Sequence, residues 1–139
     1  MSEDSVFKEN LFKGKKVFIT GGATGMGLGF AQAFLNHGAD VFIASRKEDK
    51  LKQAAEETEK KFGKKLIWKT MDVRDKETVE EAIEFLDSEW GELDILVNNA
   101  AGNFVAPIAS MSENAWRAVV DIVLDGTFRV SKASYPLLR

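Results

Sequence analysis

Val17-Phe18-Ile19-Thr20-Gly21-Gly22-Ala23-Thr24-Gly25-Met26-Gly27 runs from an apolar stretch through a glycine-rich turn into an amphipathic helix. Strand, tight turn and helix N-terminus in that order are what a bound pyrophosphate requires. Gly21, Gly25 and Gly27 have no Cβ to hold the backbone away from a phosphate, and the following helix offers free N–H groups and the positive end of its dipole. Ala23, Thr24 and Met26 complete the predicted nucleotide-binding turn, and no side chain has to supply charge there. Glycine spacing also marks ordinary connectors, so the rest of the chain must supply context.

Outward from the turn, residues 15–20 and 40–45 are β-branched or aromatic runs. The helix between them carries Leu28, Ala31, Phe34 and Leu35 on one face, which completes a βαβ unit. His37 before Gly38 reads as that helix's C-terminal residue. A second helix over about 48–62 leads through Gly63 to a strand at 66–70, and a third over about 76–88 leads through Gly91 to a strand at 93–98. Strands and helices thus alternate four times. That pattern predicts an α/β fold, a doubly wound parallel sheet covered on both faces. Residues 1–139 read as one domain without repeats, linkers or low-complexity segments.

Composition agrees: 45% hydrophobic and 29% charged residues suit a globular chain. A net charge of -3, with Lys60, Lys61, Lys64 and Lys65 interleaved among Glu56, Glu57 and Glu59, argues against nucleic acid as a partner. The absence of cysteine excludes disulfide and thiolate chemistry, and a lone histidine cannot build a histidine-rich metal site. Residues 1–10 have neither the apolar stretch of a signal peptide nor the composition of a transit peptide, and no segment approaches a membrane span. The expected location is cytoplasmic.

The last helix is expected from about Ser112, with Ser112 as its cap. Its apolar residues, among them Trp116, Val119, Val120, Ile122, Val123, Leu124 and Phe128, leave almost no polar stripe. A helix of that kind is expected to be buried on two sides, one against the sheet and one against a second copy of the chain or residues beyond it. A homo-oligomer through this helix is the resulting expectation.

Cofactor choice is decided at the end of the second strand, where a dinucleotide site normally places an acid for the ribose hydroxyls. Here the sequence is Ala44-Ser45-Arg46-Lys47. Arg46 offers a planar, permanently charged fork for a 2′-phosphate, with Lys47 as a supporting charge and Ser45 as a small hydrogen-bonding neighbour. The cofactor predicted is NADP(H); the alternative has Arg46 and Lys47 pairing with Glu48 and Asp49. Asp72, before Val73, can accept from an adenine amino group or cap the next helix. Asn98 and Asn99, before Ala100, can contact the ribose and nicotinamide or tie adjacent strands together.

Gly14-Lys15, Thr20-Gly21-x-x-x-Gly25-x-Gly27, Asp72-Val73 and Asn98-Asn99-Ala100 resemble the ordered motifs of the short-chain dehydrogenase/reductase family. The resemblance covers the chain from about residue 12 and implies a Rossmann-type sheet of strand order 3-2-1-4. Within the family, residues 43–47, 98–104, 114–116 and 121–127 most resemble the 2,4-dienoyl-CoA reductases. That implies NADPH-dependent reduction of unsaturated fatty acyl-CoA thioesters in β-oxidation. Most family members carry an asparagine where this chain has Val123, which implies that the usual proton-relay water is absent. Asn103 matches an active-site asparagine of the dienoyl-CoA reductases, implied to hold the thioester carbonyl as negative charge develops. Its alternative is to shape a turn before Pro107.

The family's general acid is a tyrosine with a lysine four residues on, the cation lowering the phenol pKa from about 10. These 139 residues contain no Tyr-x-x-x-Lys. Tyr135 with Arg139 mimics the spacing, but Pro136 disrupts a continuing helix and the family's tyrosine follows a fifth strand. The chain therefore reads as the N-terminal part of a longer reductase domain, truncated after its fifth helix and inactive by itself. Its fourth strand is expected to present an unpaired, aggregation-prone edge. Two further readings remain open: a 3-oxoacyl or other carbonyl reductase, and a catalytically silent nucleotide-binding module.

Overall fold

The computed structural model describes residues 6–138. Four parallel strands form one sheet in the order β3-β2-β1-β4, with β1 at Lys16–Thr20, β2 at Asp40–Ser45, β3 at Ile67–Thr70 and β4 at Ile95–Val97. Helices α1 (Gly25–Asn36), α2 (Glu48–Phe62) and α3 (Lys76–Trp90) form the crossovers between successive strands. The doubly wound sheet and its strand order are as expected from the sequence.

Period-2 alternation within buried strands sends each strand's side chains into two separate cores. Phe18 and Phe42 face one side, packing with Val79, Ala82, Ile83 and Leu86 of α3 and with Val130. Val17, Ile19, Val41 and Ile43 face the other, against Ala31 and Leu35 of α1 and Leu51 and Ala54 of α2. Because both faces are covered, Val17, Phe18 and Ile19 are all fully buried. Gly63 and Gly91, both left-handed, end α2 and α3. The cap at Gly91 lets α3 run to Trp90, two residues past the extent read from the sequence.

The long helix expected from Ser112 is observed over residues 113–134, helical throughout but with a π-helical stretch in its middle. Ser112 does cap α4 (Glu113–Val120), its Oγ accepting from the N–H of Ala115 at 3.2 Å. A π-turn at Asp121–Asp125 then joins α4 to α5 (Gly126–Ser134). The wide turn seats Gly126 where a Cβ would come within 2.7 Å of Val73 Cγ2. Burial on two sides is not observed within this chain. Trp116, Leu124 and Phe128 are each at least 60% exposed, because only one face of the helical pair meets the rest of the fold.

Along Ile95–Val97 the edge of β4 pairs only with β1 among the described residues, as expected from the sequence, and contact with a later segment is confined to Leu93. After the turn at Tyr135 and Pro136, the chain returns to the sheet: the Leu93 N–H donates to the Leu137 carbonyl at 2.8 Å, and Leu93 and Leu138 form a parallel bridge. The turn starts this return as soon as α5 ends. β4 itself, Ile95 to Val97, remains only partly buried. Arg139, the far member of the Tyr135 spacing, lies outside the described residues, as do residues 1–5 of the N-terminal segment.

Asp94 ties the bottom of the sheet. Its Oδ1 meets Lys15 Nζ at 2.6 Å and its Oδ2 accepts from the Lys16 N–H at 2.9 Å. The hydrogen bond from Lys15, followed by that from the Lys16 backbone, holds the Asp94 carboxyl below its ordinary value. A carboxylate depressed on folding contributes stability above its unfolded pKa and loses it as pH falls through the folded one. Asp94→Asn is therefore expected to lower Tm by about 1–3 °C at pH 7. The gap should close as the wild type is acidified below about pH 4. Equal melting at pH 7, or a gap unchanged at pH 3, would contradict this assignment.

Candidate nucleotide site

At the C-terminal ends of the strands, a crevice of about 430 Å³ opens between the β1–α1 turn, the ends of β2 and β3, and the segment after β4. In open parallel sheets this is where ligands bind, at the point where strand order reverses between β1 and β4. Gly21, Ala23, Thr24, Met26 and Gly27 line it from the glycine turn. Ser45, Arg46, Lys47, Asp72, Val73, Asn99 and Ala100 line it from the other strand ends.

The glycine turn is held by close backbone packing. Gly21 adopts φ +65° and Gly25 φ +55°, both in the left-handed region that disfavours side chains. A Cβ on Gly27 would collide with the Gly21 carbonyl oxygen and lie 2.5 Å from Asn99 Nδ2. A Cβ on Gly25 would meet nothing within 4 Å. Gly25 is thus required by backbone conformation and Gly27 by helix-to-turn packing. The first turn of α1 holds no acidic residue, and Thr24 makes no side-chain cap bond to it. Its N-terminal dipole is therefore left for an anion.

Asn99 is a tie across the strand ends. Its Nδ2 donates to the carbonyls of Thr20 at 3.0 Å and Gly21 at 3.2 Å. The Thr20 hydroxyl in turn accepts from the N–H groups of Asn99 at 3.0 Å and Ala100 at 2.9 Å. This is the strand-tying role, carried out by a residue that also lines the crevice. Asn98 does not line it: its Nδ2 donates instead to Ser131 Oγ of α5 at 3.0 Å. Gly25 and Asn103 are likewise outside the crevice lining. Asn103 sits exposed on the irregular segment between β4 and α4, too far along the chain to stay at the strand end.

Charge in the crevice is mainly positive. Arg46, Lys47, Lys50 and Arg74 contribute cations against the single carboxylate of Asp72 among the lining residues. The pairing of Arg46 and Lys47 with Glu48 or Asp49 is not observed: Glu48 bonds Lys52 at 2.7 Å, and no salt bridge of Arg46 or Lys47 occurs among the described residues. An i,i+4 partner one turn along α2 suits Glu48 better than its chain neighbours do. Nor does Asp72 cap α3. Asp75 fills that role, its side chain accepting from the Glu77 N–H at 3.0 Å. Asp72 is clasped by Arg74, whose hydrogen bond is the leading cause holding its carboxyl below the ordinary value; the Arg46 charge acts in the same direction.

Sequence reasoning missed Lys50, Arg74 and Ile122 of the lining. Lys50 lies one turn into α2 from Lys47, a helical spacing that could have found it. Ile122 arrives through the π-turn, where a Cβ on Gly102 would lie 2.7 Å from its Cδ1. No sequence signal announces that turn.

The short chain dehydrogenase family profile matches residues 15–139. The peroxisomal 2,4-dienoyl-CoA reductase of Danio rerio is 40% identical over 130 residues, 94% of this chain and 43% of that protein. A citronellol catabolism dehydrogenase from Pseudomonas aeruginosa PAO1 superposes with TM-score 0.88 at 32% identity, covering 97% of this chain and 55% of that one. The L-sorbose reductase of Gluconobacter frateurii, whose structure is a complex with NADPH and L-sorbose, superposes with TM-score 0.83 at 30% identity, over 90% of this chain and 48% of that one. The chain thus spans less than half the length of the curated relative that it matches. With the family's glycine turn and strand order both in place, this chain belongs to the short-chain dehydrogenase family.

Proposed function

We propose that this chain provides the cofactor half of an NADPH-dependent reductase acting on 2,4-dienoyl-CoA thioesters. The observation that carries the cofactor reading is Arg46, a cation at the end of β2 that forms no salt bridge among the described residues. The residues fit the group. The glycine turn leaves room for a pyrophosphate beside the N-terminus of α1, and four cations face one carboxylate. Gly21, Ala23, Thr24, Gly25, Met26 and Gly27 would hold the pyrophosphate, Ser45, Arg46 and Lys47 the 2′-phosphate, and Asp72 and Val73 the adenine. Asn98, Asn99 and Ala100 stand at the nicotinamide side of this reading. Asn99 acts there by fixing the turn, and Asn98 by joining the segment after β4 to α5.

When bound, NADPH supplies a hydride. The chain's own contribution is to orient it and exclude alternatives. Asn103 is proposed to donate its side-chain amide to the thioester oxygen as charge develops, a form of electrostatic stabilisation. The proton donor comes from the family's Tyr-x-x-x-Lys, which these residues do not contain. By itself the chain is proposed to bind dinucleotide without turnover. Similarity to the fish enzyme supports the dienoyl-CoA substrate, and Val123 in place of the relay asparagine favours it over a carbonyl.

A homo-oligomer is proposed through the exposed apolar face of α4 and α5, where Trp116, Leu124 and Phe128 stand. No helix among the described residues is long and apolar enough to cross a membrane. Cytoplasmic residence is the reading from the sequence, whereas the fish relative's name carries the peroxisome; fractionation of cells expressing the full-length protein separates the two.

Three measurements on the full-length protein test the reading. Arg46→Ala is expected to weaken NADPH binding about 10- to 100-fold, the worth of a charge-assisted bidentate contact, and to leave NADH nearly unchanged. Equal losses for both would remove Arg46 from 2′-phosphate recognition. Asn103→Ala is expected to lower kcat on a dienoyl-CoA about 100-fold while the NADPH Kd holds. Oxidation of NADPH with a 3-oxoacyl thioester but not with a dienoyl-CoA would overturn the substrate assignment.

A further inference from the structure

Arg74 lines the crevice yet belongs to none of the motifs by which the sequence is read. Its guanidinium closes on Asp72 as a fork, Nε 3.0 Å from Oδ1 and Nη2 2.6 Å from Oδ2. The Arg74 backbone N–H donates to the same Oδ1 at 3.0 Å, so the carboxylate is gripped from two directions. The two side chains remain 40% and 25% exposed, facing the crevice rather than the core. A grip in this position is not required to stabilise a buried charge.

Its electrostatic consequence lies in the crevice. Asp72 is the one carboxylate among the lining residues, and Arg46 is close enough for its charge to act on Asp72. An uncompensated carboxylate there would repel any anion held by Arg46. A 2′-phosphate held by Arg46, carrying about −1.5 to −2 charges, would feel that repulsion strongly, while a dinucleotide with free ribose hydroxyls brings only its pyrophosphate charge, at the glycine turn, and would feel it less. We infer that Arg74 is a specificity-determining residue: by clamping and neutralising Asp72 it keeps the crevice net positive and so favours a 2′-phosphorylated dinucleotide over its unphosphorylated counterpart. The inference rests on the NADP reading above.

The test is calorimetric titration of the full-length protein with NADPH and with NADH. Arg74→Ala is expected to raise the NADPH Kd roughly five- to ten-fold and the NADH Kd by less than about two-fold. Adding Asp72→Asn to Arg74→Ala should restore most of the NADPH affinity, because the unpaired carboxylate is then gone. Arg74→Lys, which keeps the charge without the fork, should retain the NADPH preference and serves as the second variant if the alanine form does not fold. Equal losses for both dinucleotides would assign Arg74 a structural role and overturn the inference. Failure of Asp72→Asn to rescue would also overturn it, by placing Arg74 itself on the phosphate. A wild-type protein that binds NADH as tightly as NADPH would instead overturn the cofactor reading beneath it.

Discussion

The tie between Thr20 and Asn99 is the constraint on which the crevice depends. β1 and β4 pair over only three residues, Val17 to Ile19 against Ile95 to Val97, and then diverge. Parallel ladders are the weaker kind per residue, so three pairs alone would leave the strand ends free to splay. Four hydrogen bonds extend the junction past the ladder: two accepted by the Thr20 hydroxyl and two donated by the Asn99 amide. Thr20 is 1% exposed, so losing those partners would leave buried polar groups unpaired at about 1–3 kcal/mol each. The Asn99 amide also bonds the carbonyl of Gly21, the first residue of the glycine turn. One side chain therefore fixes both the strand junction and the start of the glycine turn.

From that fixed point the glycine turn follows by exclusion. Asn99 Nδ2 and the Gly21 carbonyl occupy the space a Cβ at position 27 would need, so α1 can approach the turn only with glycine there. The same contact aims the N-terminus of α1 into the crevice. On the opposite wall, Gly126 lets α5 close on Val73, and Arg129 Nη1 donates to the Val73 carbonyl at 3.2 Å while meeting Asp121 Oδ1 at 2.9 Å. The Asp72-Val73-Arg74 segment is thereby fixed from behind, and its charged side chains are left to face the opening.

Much of this was legible in the sequence because it rests on local pattern. Short runs of β-branched and aromatic residues located the four strands, and the glycines at 63 and 91 marked where helices must stop. Most of the crevice lining followed from a general rule about strand ends. What the sequence did not disclose depends on contacts distant in the chain. Whether Asn98 or Asn99 turns toward the crevice is set by which neighbour each meets, Ser131 or Thr20, and adjacent asparagines carry no mark of that choice. The π-helical stretch is similar: Asp121-Ile122-Val123-Leu124-Asp125 fits an ordinary α-helix locally, and its widening accompanies the seating of Gly126 against Val73, far away in the chain.

The two halves of the proposed reaction are built with unequal rigidity. Cofactor-facing residues stand on strand ends and helix starts whose backbone bonds are satisfied within the sheet and turn. Asn103 stands instead on a segment whose regular structure is limited to the short turn at Ile108–Ser110, and whose apolar side chains Phe104, Val105 and Ile108 are more than half exposed. Exposed apolar groups on an irregular segment gain little from their own fold and most from whatever covers them. A long acyl chain is the covering chemistry that the proposed substrate supplies. Its burial would order this segment and bring Asn103 to the thioester at the same time, coupling recognition of the chain to placement of the amide. On the proposed reading, strand ends fixed by the sheet would hold the dinucleotide, and a segment that orders on its substrate would accommodate acyl chains of different length.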